Sequence, residues 1–306
     1  MQQDQWTPDQ ITDLTGQRAL VTGVTSGLGK VVVSTLAGRG AEVLMAARNQ
    51  QKLGAAVEDV QARRPSATVR PLVLDLADQS SVRRAAEEAA SYGPLHLLVN
   101  NAGVMAPPYQ RTVDGYELQM ATNHFGHFAL TGLLLPQLVA SGDARVVSVS
   151  SQGHRMARSA PLDDPRRQHA HYRRWPVYGQ TKLANLLFVF ELDRRAREAG
   201  LPLKALAAHP GVSATGLMRS GYGTGPSGRI LDAAFLAMGQ PPEMGAMPIL
   251  MAATADLPGT TYVGPGGLGG ARGLPKVVGT STLARDPEVA RRLWEVSQDA
   301  TGVVYP

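Results

Sequence analysis

Cysteine is absent from the 306-residue chain. A disulfide framework, a thiolate metal site and a cysteine nucleophile are therefore excluded together, and a reducing compartment suits the composition. No apolar run reaches the roughly 18 to 20 residues that a bilayer-spanning helix needs. Met1 to Leu14 lacks the basic-then-apolar pattern of a secretory leader. These absences predict a cytoplasmic protein with no membrane partner. Aromatic residues are sparse, at 5%, but a hydrophobic fraction of 43% is ample for a buried core.

Charge points away from nucleic acid despite its sign. The net charge is +5 and the pI near 9.6, yet the basic pairs Arg63-Arg64, Arg83-Arg84, Arg166-Arg167, Arg173-Arg174, Arg194-Arg195 and Arg291-Arg292 are scattered along the chain. Several stand near carboxylates such as Glu87-Glu88 and Glu198. A phosphate-binding face requires clustering, so these pairs are expected on solvated helix faces. His124, His127 and His154 match no zinc spacing, and no metal is expected.

Short Val-, Leu- and Ala-rich runs alternate with longer helical stretches, the pattern of a parallel sheet buried on both faces. Strands are expected near Arg18 to Thr22, Glu42 to Ala46, Val69 to Leu74, Leu95 to Val99, Arg145 to Val149 and Lys204 to Ala208, with a seventh around Tyr262-Val263. Helices are expected from Leu28 to Gly38, Gln50 to Arg63, Ser80 to Tyr92, in a long segment ending near Ala140, from Val177 to Ala199, and near Pro287 to Ala300. This predicts an α/β doubly wound sheet of about seven strands with helices on both faces, a three-layer sandwich of Rossmann type. No linker divides the chain, so residues 1–306 are expected to form a single domain. Two stretches break the rhythm: a loop insertion at about 153–175 and a segment at about 213–247, expected to serve as a substrate lid.

The loop Thr22-Gly23-Val24-Thr25-Ser26-Gly27-Leu28-Gly29 follows the first strand and opens the first helix, the setting a dinucleotide fingerprint requires. Gly23 suits the tight turn, Gly27 the approach of a pyrophosphate and Gly29 the packing of helix on sheet. The second strand ends Met45-Ala46-Ala47-Arg48. A carboxylate there would hold the 2′-hydroxyl of NAD; a small residue followed by a cation suits the 2′-phosphate of NADP(H), which is the expected cofactor. Asp75, ending the third strand, is placed either to accept from an adenine amino group or to cap a turn.

Tyr178 and Lys182 lie four apart on a predicted helix and can share one pocket. A free phenol titrates at about 10, and a nearby cation lowers that value, which would bring Tyr178 toward use as an acid or base.

Taken in chain order, the glycine loop, Asn100-Asn101-Ala102-Gly103, Asn123, Ser151, Tyr178-Gly179-Gln180-Thr181-Lys182 and His209-Pro210-Gly211-Val212 resemble the short-chain dehydrogenase/reductase family. Tyr178 to Asn185 with His209 to Val212 is similar to its retinol-dehydrogenase-like branch. The resemblance implies Tyr178 as general acid/base, Ser151 rather than Ser150 as the hydrogen-bond donor to the substrate oxygen, and Lys182 on the nicotinamide ribose. It implies that Asn123 holds a water linking Lys182 to solvent. It places cofactor contacts at Gly23, Thr25, Ser26, Gly27, Leu28, Gly29, Arg48, Asp75, Leu76, Asn101, Ala102, Gly103, Tyr178, Lys182, Pro210, Gly211, Val212 and Thr215. Asn101 would also pin the backbone, and Thr215 would contact the carboxamide or cap a helix.

The activity implied is hydride transfer between NADP(H) and a carbonyl or alcohol group. A non-redox step in a biosynthetic pathway, such as isomerisation, elimination or cyclisation with cofactor retained, is the alternative. Tyr178 follows Ser151 by 27 positions, longer than is common in the family, so the pocket mouth is expected to be remodelled. Tyr222, Phe235, Leu236, Met238 and Met244 suggest an apolar wall and a mainly apolar small-molecule substrate. Pairing through the helices that carry Asn123 and Tyr178 would make a homodimer or homotetramer.

Overall fold

A computed structural model describes residues 6–162, 172–212 and 239–305 of the chain. Its strands are β1 (Arg18–Thr22), β2 (Glu42–Ala47), β3 (Val69–Val73), β4 (Leu97–Asn100), β5 (Ala144–Val149), β6 (Leu203–Ala208), β7 (Tyr262–Pro265) and β8 (Pro275–Val277). They form one sheet in the order β3-β2-β1-β4-β5-β6-β7-β8. All pairings are parallel except β7 with β8. The described helices are α1 (Gly27–Ala37), α2 (Gln50–Arg63), α3 (Gln79–Ser91), α4 (Leu118–Met120), α5 (Gly126–Leu133), α6 (Leu135–Ala140), α7 (Arg174–Glu198), α8 (Pro242–Thr254) and α9 (Pro287–Thr301).

Period-two alternation builds the three layers. Along β1, Ala19 and Val21 join the core formed with Val32, Val33 and Leu36 of α1, Leu53 of α2 and Ile249 of α8. Leu20 between them faces the other way, into the core formed with α3, α5, α7 and α9. The doubly wound sandwich expected from the sequence is present, with one strand more than expected. β8 has only three residues, two of them exposed, in a stretch rich in Gly and Pro; such a strand carries no apolar alternation, and Pro275 suits an edge.

Other departures have local causes. The long helix expected to end near Ala140 is divided into α4, a π-helical turn at Ala121–Phe125, α5 and α6. Pro136 sits in the first turn of α6, where a missing N–H costs nothing but an uninterrupted helix could not continue. Inside the expected loop at 153–175, Gln152–Met156 forms a 3₁₀ helix and α7 starts at Arg174. Inside the expected lid, α8 starts at Pro242; residues 213–238 lie outside the described residues, as do 163–171.

Several of the basic pairs are ion-paired as well as solvated. Arg194 and Arg195 both donate to Glu191 at 2.7 Å, and Arg197 donates to Asp193 at 3.0 Å. At the chain's end, Trp294 of α9 stacks on Phe188 of α7 with ring centroids 5.9 Å apart, and Tyr305 donates through its hydroxyl to the Phe128 carbonyl at 2.6 Å. α9 thereby covers the outer faces of α5 and α7, the helices on which subunit pairing was expected.

Candidate active site

Strand order reverses between β1 and β4, which opens a crevice at their carboxyl ends where ligands of such sheets bind. The glycine loop leaves β1 there. Gly23 and Gly27 take φ of +74° and +56°, the left-handed region that glycine adopts without strain. A Cβ on Gly29 would collide with the Gly23 carbonyl oxygen and lie 2.7 Å from the Asn101 amide nitrogen, so that glycine sets how closely α1 seats on the loop. Ser26, at the start of α1, makes no side-chain cap, and the first turn carries no acid. Asn49, Asp78 and Asp286, by contrast, cap α2, α3 and α9 through their side chains. The bare N–H groups of α1 and its positive dipole end suit a pyrophosphate. The loop therefore fits a dinucleotide by its own geometry.

Thr22, which the sequence reading did not single out, organises this end. Its hydroxyl accepts from the backbone N–H of Asn101 at 3.0 Å and of Ala102 at 2.9 Å, and lies 3.0 Å from His127 Nε2. With both lone pairs used, the Thr22 proton goes to His127. Asn101 donates its side-chain amide to the Thr22 carbonyl at 2.7 Å. It pins the loop, as expected of it.

At the end of β2, Ala47 is buried and Arg48 is exposed in a bend, with no ion pair among the described residues. Asp75 accepts from Ala77 N–H at 3.0 Å, a turn contact that leaves its second oxygen free. The Leu76 side chain is buried in the core, and a Cβ on Gly126 would strike its carbonyl, so its main chain packs against the start of α5.

Ser151, Tyr178, Lys182 and Asn123 are brought together from three elements: the cap of the 3₁₀ helix, α7 and the π-helical turn. Ser151 caps the 3₁₀ helix, accepting from Gly153 N–H at 3.0 Å. A Cβ on Gly153 would lie 3.2 Å from Tyr178 Cε1 and 3.4 Å from Ser151 Oγ, so that glycine lets the phenol close on the serine. Lys182 Nζ donates to the Val149 carbonyl at 3.0 Å and sits 5.8 Å from the centre of the Tyr178 ring. Ser150 points elsewhere, donating to the Lys182 carbonyl at 2.7 Å.

The electrostatics differ from expectation in one respect. Burial pushes the Tyr178 phenol above its ordinary value, and the opposing influence is the Ser151 hydroxyl, not Lys182. Burial also lowers Lys182 to about 8. Desolvation outweighs the lysine's pull at this separation, so the phenol stays protonated and ready to donate.

Asn123 lies in the π-helical turn. Its Oδ1 accepts from Val104 N–H at 2.7 Å, and its amide donates to the Val104 carbonyl at 2.9 Å and to Thr181 Oγ1 at 3.0 Å. One Oδ1 lone pair is left for a water. A Cβ on Gly103 would stand 3.0 Å from that oxygen and 3.6 Å from Lys182 Nζ, so Gly103 keeps space between the two.

Beyond β6, Gly211 has φ of +65°, and a Cβ there would meet the Ala271 carbonyl. Val212 N–H donates to that carbonyl at 2.8 Å, and Gln240 ties the Pro210 carbonyl at 2.8 Å. Thr215 lies outside the described residues. So do Tyr222, Phe235, Leu236 and Met238; Met244, in α8, is half-buried. The apolar neighbours of Tyr178 are Met105, Ala106 and Trp175, with the Trp175 ring edge-on to the phenol at 6.2 Å. Sequence reasoning missed these three because a loop and a helix start bring them together.

His124, His127 and His154 are hydrogen-bonded. His154 donates from Nδ1 to the Ser151 carbonyl at 2.7 Å and accepts at Nε2 from Ser281 N–H at 3.1 Å, which fixes a neutral ring. Burial lowers both His124 and His127 to about 3. Among the described residues no group of three His, Asp or Glu could hold a metal, and no described helix is long and apolar enough to cross a membrane.

A reversed strand order, an uncapped helix over a glycine turn, and a serine, tyrosine and lysine around one pocket define a nicotinamide-dependent oxidoreductase of Rossmann type. The short chain dehydrogenase pattern matches residues 17–161. Human retinol dehydrogenase 13 is 36% identical over 298 residues, covering 95% of this chain and 86% of that protein. Mouse retinol dehydrogenase 11 is likewise 36% identical, over 299 residues, covering 95% and 88%. A solved structure of a Mycobacterium paratuberculosis protein superposes with a TM-score of 0.80 at 42% identity, covering 99% of each chain. The chain belongs to the short-chain dehydrogenase/reductase family, in its retinol-dehydrogenase-like branch. It is an oxidoreductase of alcohol and carbonyl groups.

Proposed function

We propose that the chain is an NADP(H)-dependent reductase or dehydrogenase of a mainly apolar carbonyl or alcohol, with Tyr178 as general acid/base. The observation that carries this reading is the buried Tyr178 phenol closed against Ser151, in the crevice that the glycine loop also borders. When bound, the nicotinamide supplies or accepts the hydride. Ser151 has its oxygen engaged by Gly153 N–H, so its proton faces the Tyr178 phenol and would pass to a substrate oxygen set between the two. Tyr178 gives that oxygen its proton in reduction and takes it back in oxidation. Lys182 would hold the ribose, and Asn123, with its spare lone pair, would hold the water beside it.

Ala47 and Arg48 support NADP(H) over NAD(H): the strand end offers no carboxylate to a 2′-hydroxyl and an unpaired guanidinium to a 2′-phosphate. Met105, Ala106 and Trp175 support an apolar substrate, because the phenol opens among them. Residues 213–247 would serve as a lid over a single 1–306 domain. α9 occupies the helical face on which pairing was expected, which favours a monomer over a homodimer or homotetramer.

The test is stoichiometric NADPH consumption against apolar aldehydes and ketones by the protein and by Tyr178→Phe. Turnover should fall about a thousandfold with the phenol's proton removed, while NADPH affinity changes less than about twofold. Retained turnover in the variant would remove Tyr178 from the chemistry, and product formed without NADPH consumption would replace the redox reading.

A further inference from the structure

The 3₁₀ helix at Gln152–Met156 has two faces, because residues three apart eclipse one another in such a helix. Gly153 and Met156 turn toward the catalytic phenol: a Cβ on Gly153 would meet Tyr178 Cε1 at 3.2 Å and Met156 Cε at 3.3 Å. Gln152 and Arg155 turn toward a second pocket of about 380 Å³, which lies across the ends of β6 and β7 and whose floor is His209 and Tyr262. Nothing in the proposed chemistry uses it.

Its charge is one-sided. Arg155 and Lys276 both line it, and no Asp or Glu stands among its described lining residues. Neither cation makes an ion pair among the described residues. Arg155 is positioned rather than free, since its guanidinium donates to the Gly279 carbonyl at 2.8 Å and keeps four N–H groups for other acceptors. At the floor, Tyr262 is 2% exposed, so its ring closes the pocket while its hydroxyl is shut off from solvent beside Ser150. The wall is cut close. Gln152 donates to the Gly269 carbonyl at 3.0 Å, and a Cβ on Gly270 would strike the Gln152 amide. A small concave site with two uncompensated cations, an aromatic floor and a glycine wall suits a compact group rich in acceptors.

We propose that this pocket binds an oxyanion, the phosphate or carboxylate of a ligand, held by Arg155 and Lys276 on the far face of the helix capped by Ser151. The anion reaches the site either as an independent ligand or as the acidic end of a substrate whose carbonyl lies at Tyr178. The second source rests on the proposed reductase activity; the first does not.

Two arms separate these sources and test the site itself. Inorganic phosphate is titrated into the full chain at constant ionic strength, and the backbone amides of Gly267, Gly269 and Gly270 and the Gln152 side-chain amide are followed by NMR. The expected result is a saturable shift at these groups, weakened about tenfold in Lys276→Met and again in Arg155→Met, since each loses a charge-assisted contact. Both side chains are exposed, and unchanged amide spectra elsewhere establish that the variants fold. Phosphate at the glycine loop does not confound the readout, because the two substitutions leave that loop intact. In the second arm, KM for an ω-oxo carboxylic acid is compared with KM for its methyl ester. A lower KM for the acid, abolished in both variants with kcat preserved, identifies the substrate's own tail as the anion. Phosphate shifts without KM discrimination identify an independent ligand. No shift at the four reporter groups and equal KM for acid and ester would overturn the proposal; absence of any turnover would count against the reductase reading alone and leave the phosphate arm decisive.

Discussion

The two rims of the crevice are built from different materials. Along the ends of β1 and β2 the working surface is main chain: left-handed glycines, bare N–H groups of α1, and carbonyls pinned by Asn101. Along the ends of β4, β5 and β6 it is side chain: Asn123, Tyr178 and Lys182, which are buried, and Ser151, which is half-buried. Main-chain atoms bind an anion with fixed dipoles whatever the pH, whereas buried phenol and ammonium groups hold or release protons according to how far they are desolvated. Under the proposed function one rim would serve binding and the other proton transfer, and each is open to a different kind of damage.

The largest effect on the first rim is expected from Gly29→Ala, whose methyl group would strike the Gly23 carbonyl and the Asn101 amide that pins the loop. NADPH affinity should fall about a hundredfold and thermal stability by several degrees, the cost of overpacking a tight site; fluorescence titration and calorimetry check both. If affinity is unchanged, close seating of α1 is not what shapes the pyrophosphate site.

On the second rim the sharpest expectation concerns pH. Lys182, lowered to about 8 by burial, is charged below that pH and neutral above it. Reduction should therefore hold through neutrality and decline about tenfold per unit above pH 8. Stability should move the other way. Between about 8 and the unfolded value of 10.5 the unfolded chain holds a proton that the folded chain lacks, so this group adds stability as pH rises through that window. Measured turnover and melting temperature with opposite slopes would separate Lys182 from general alkaline unfolding, and Lys182→Met should flatten both.

A smaller change is expected from Arg48→Asp, about tenfold weaker NADPH binding with NADH gaining relative to it. An unchanged ratio in competition titrations would leave Arg48 an ordinary surface residue. Smallest is Asp78→Ala, which removes the cap of α3 and should cost about 1 kcal/mol in a denaturant melt with no effect on cofactor affinity. Capping α1 in the same manner, by Ser26→Asp, should instead weaken NADPH, because its carboxylate would compete with the phosphate for the same N–H groups.

The same contrast explains what was legible in the sequence. Glycine needs no neighbours to declare a left-handed turn, so Gly23 and Gly27 could be read from their place between a strand and a helix. The parallel strands, buried on both faces, were equally plain as Val- and Leu-rich runs. The direction of the Tyr178 shift was not, because it depends on how deeply the ring is buried, which no spacing reports. β8 was missed for want of alternation, the π-helical turn because it differs from an α-helix by one hydrogen-bond register, and the Met105, Ala106 and Trp175 cluster because its members are near neighbours only in space. Ser151 was distinguished from Ser150 by resemblance alone; Ser150 donates to the Lys182 carbonyl and Ser151 accepts from Gly153 N–H, a difference no spacing reports.

Thr22 carries a consequence of another kind. One hydroxyl joins the end of β1, the start of the segment after β4 and the imidazole of His127, and the loop is thereby ordered before any ligand arrives. A loop that must be frozen on binding loses conformational entropy of roughly 1–2 kcal/mol per residue. Here that loss is met during folding, so cofactor can exchange between turnovers without the loop having to melt and re-form each time.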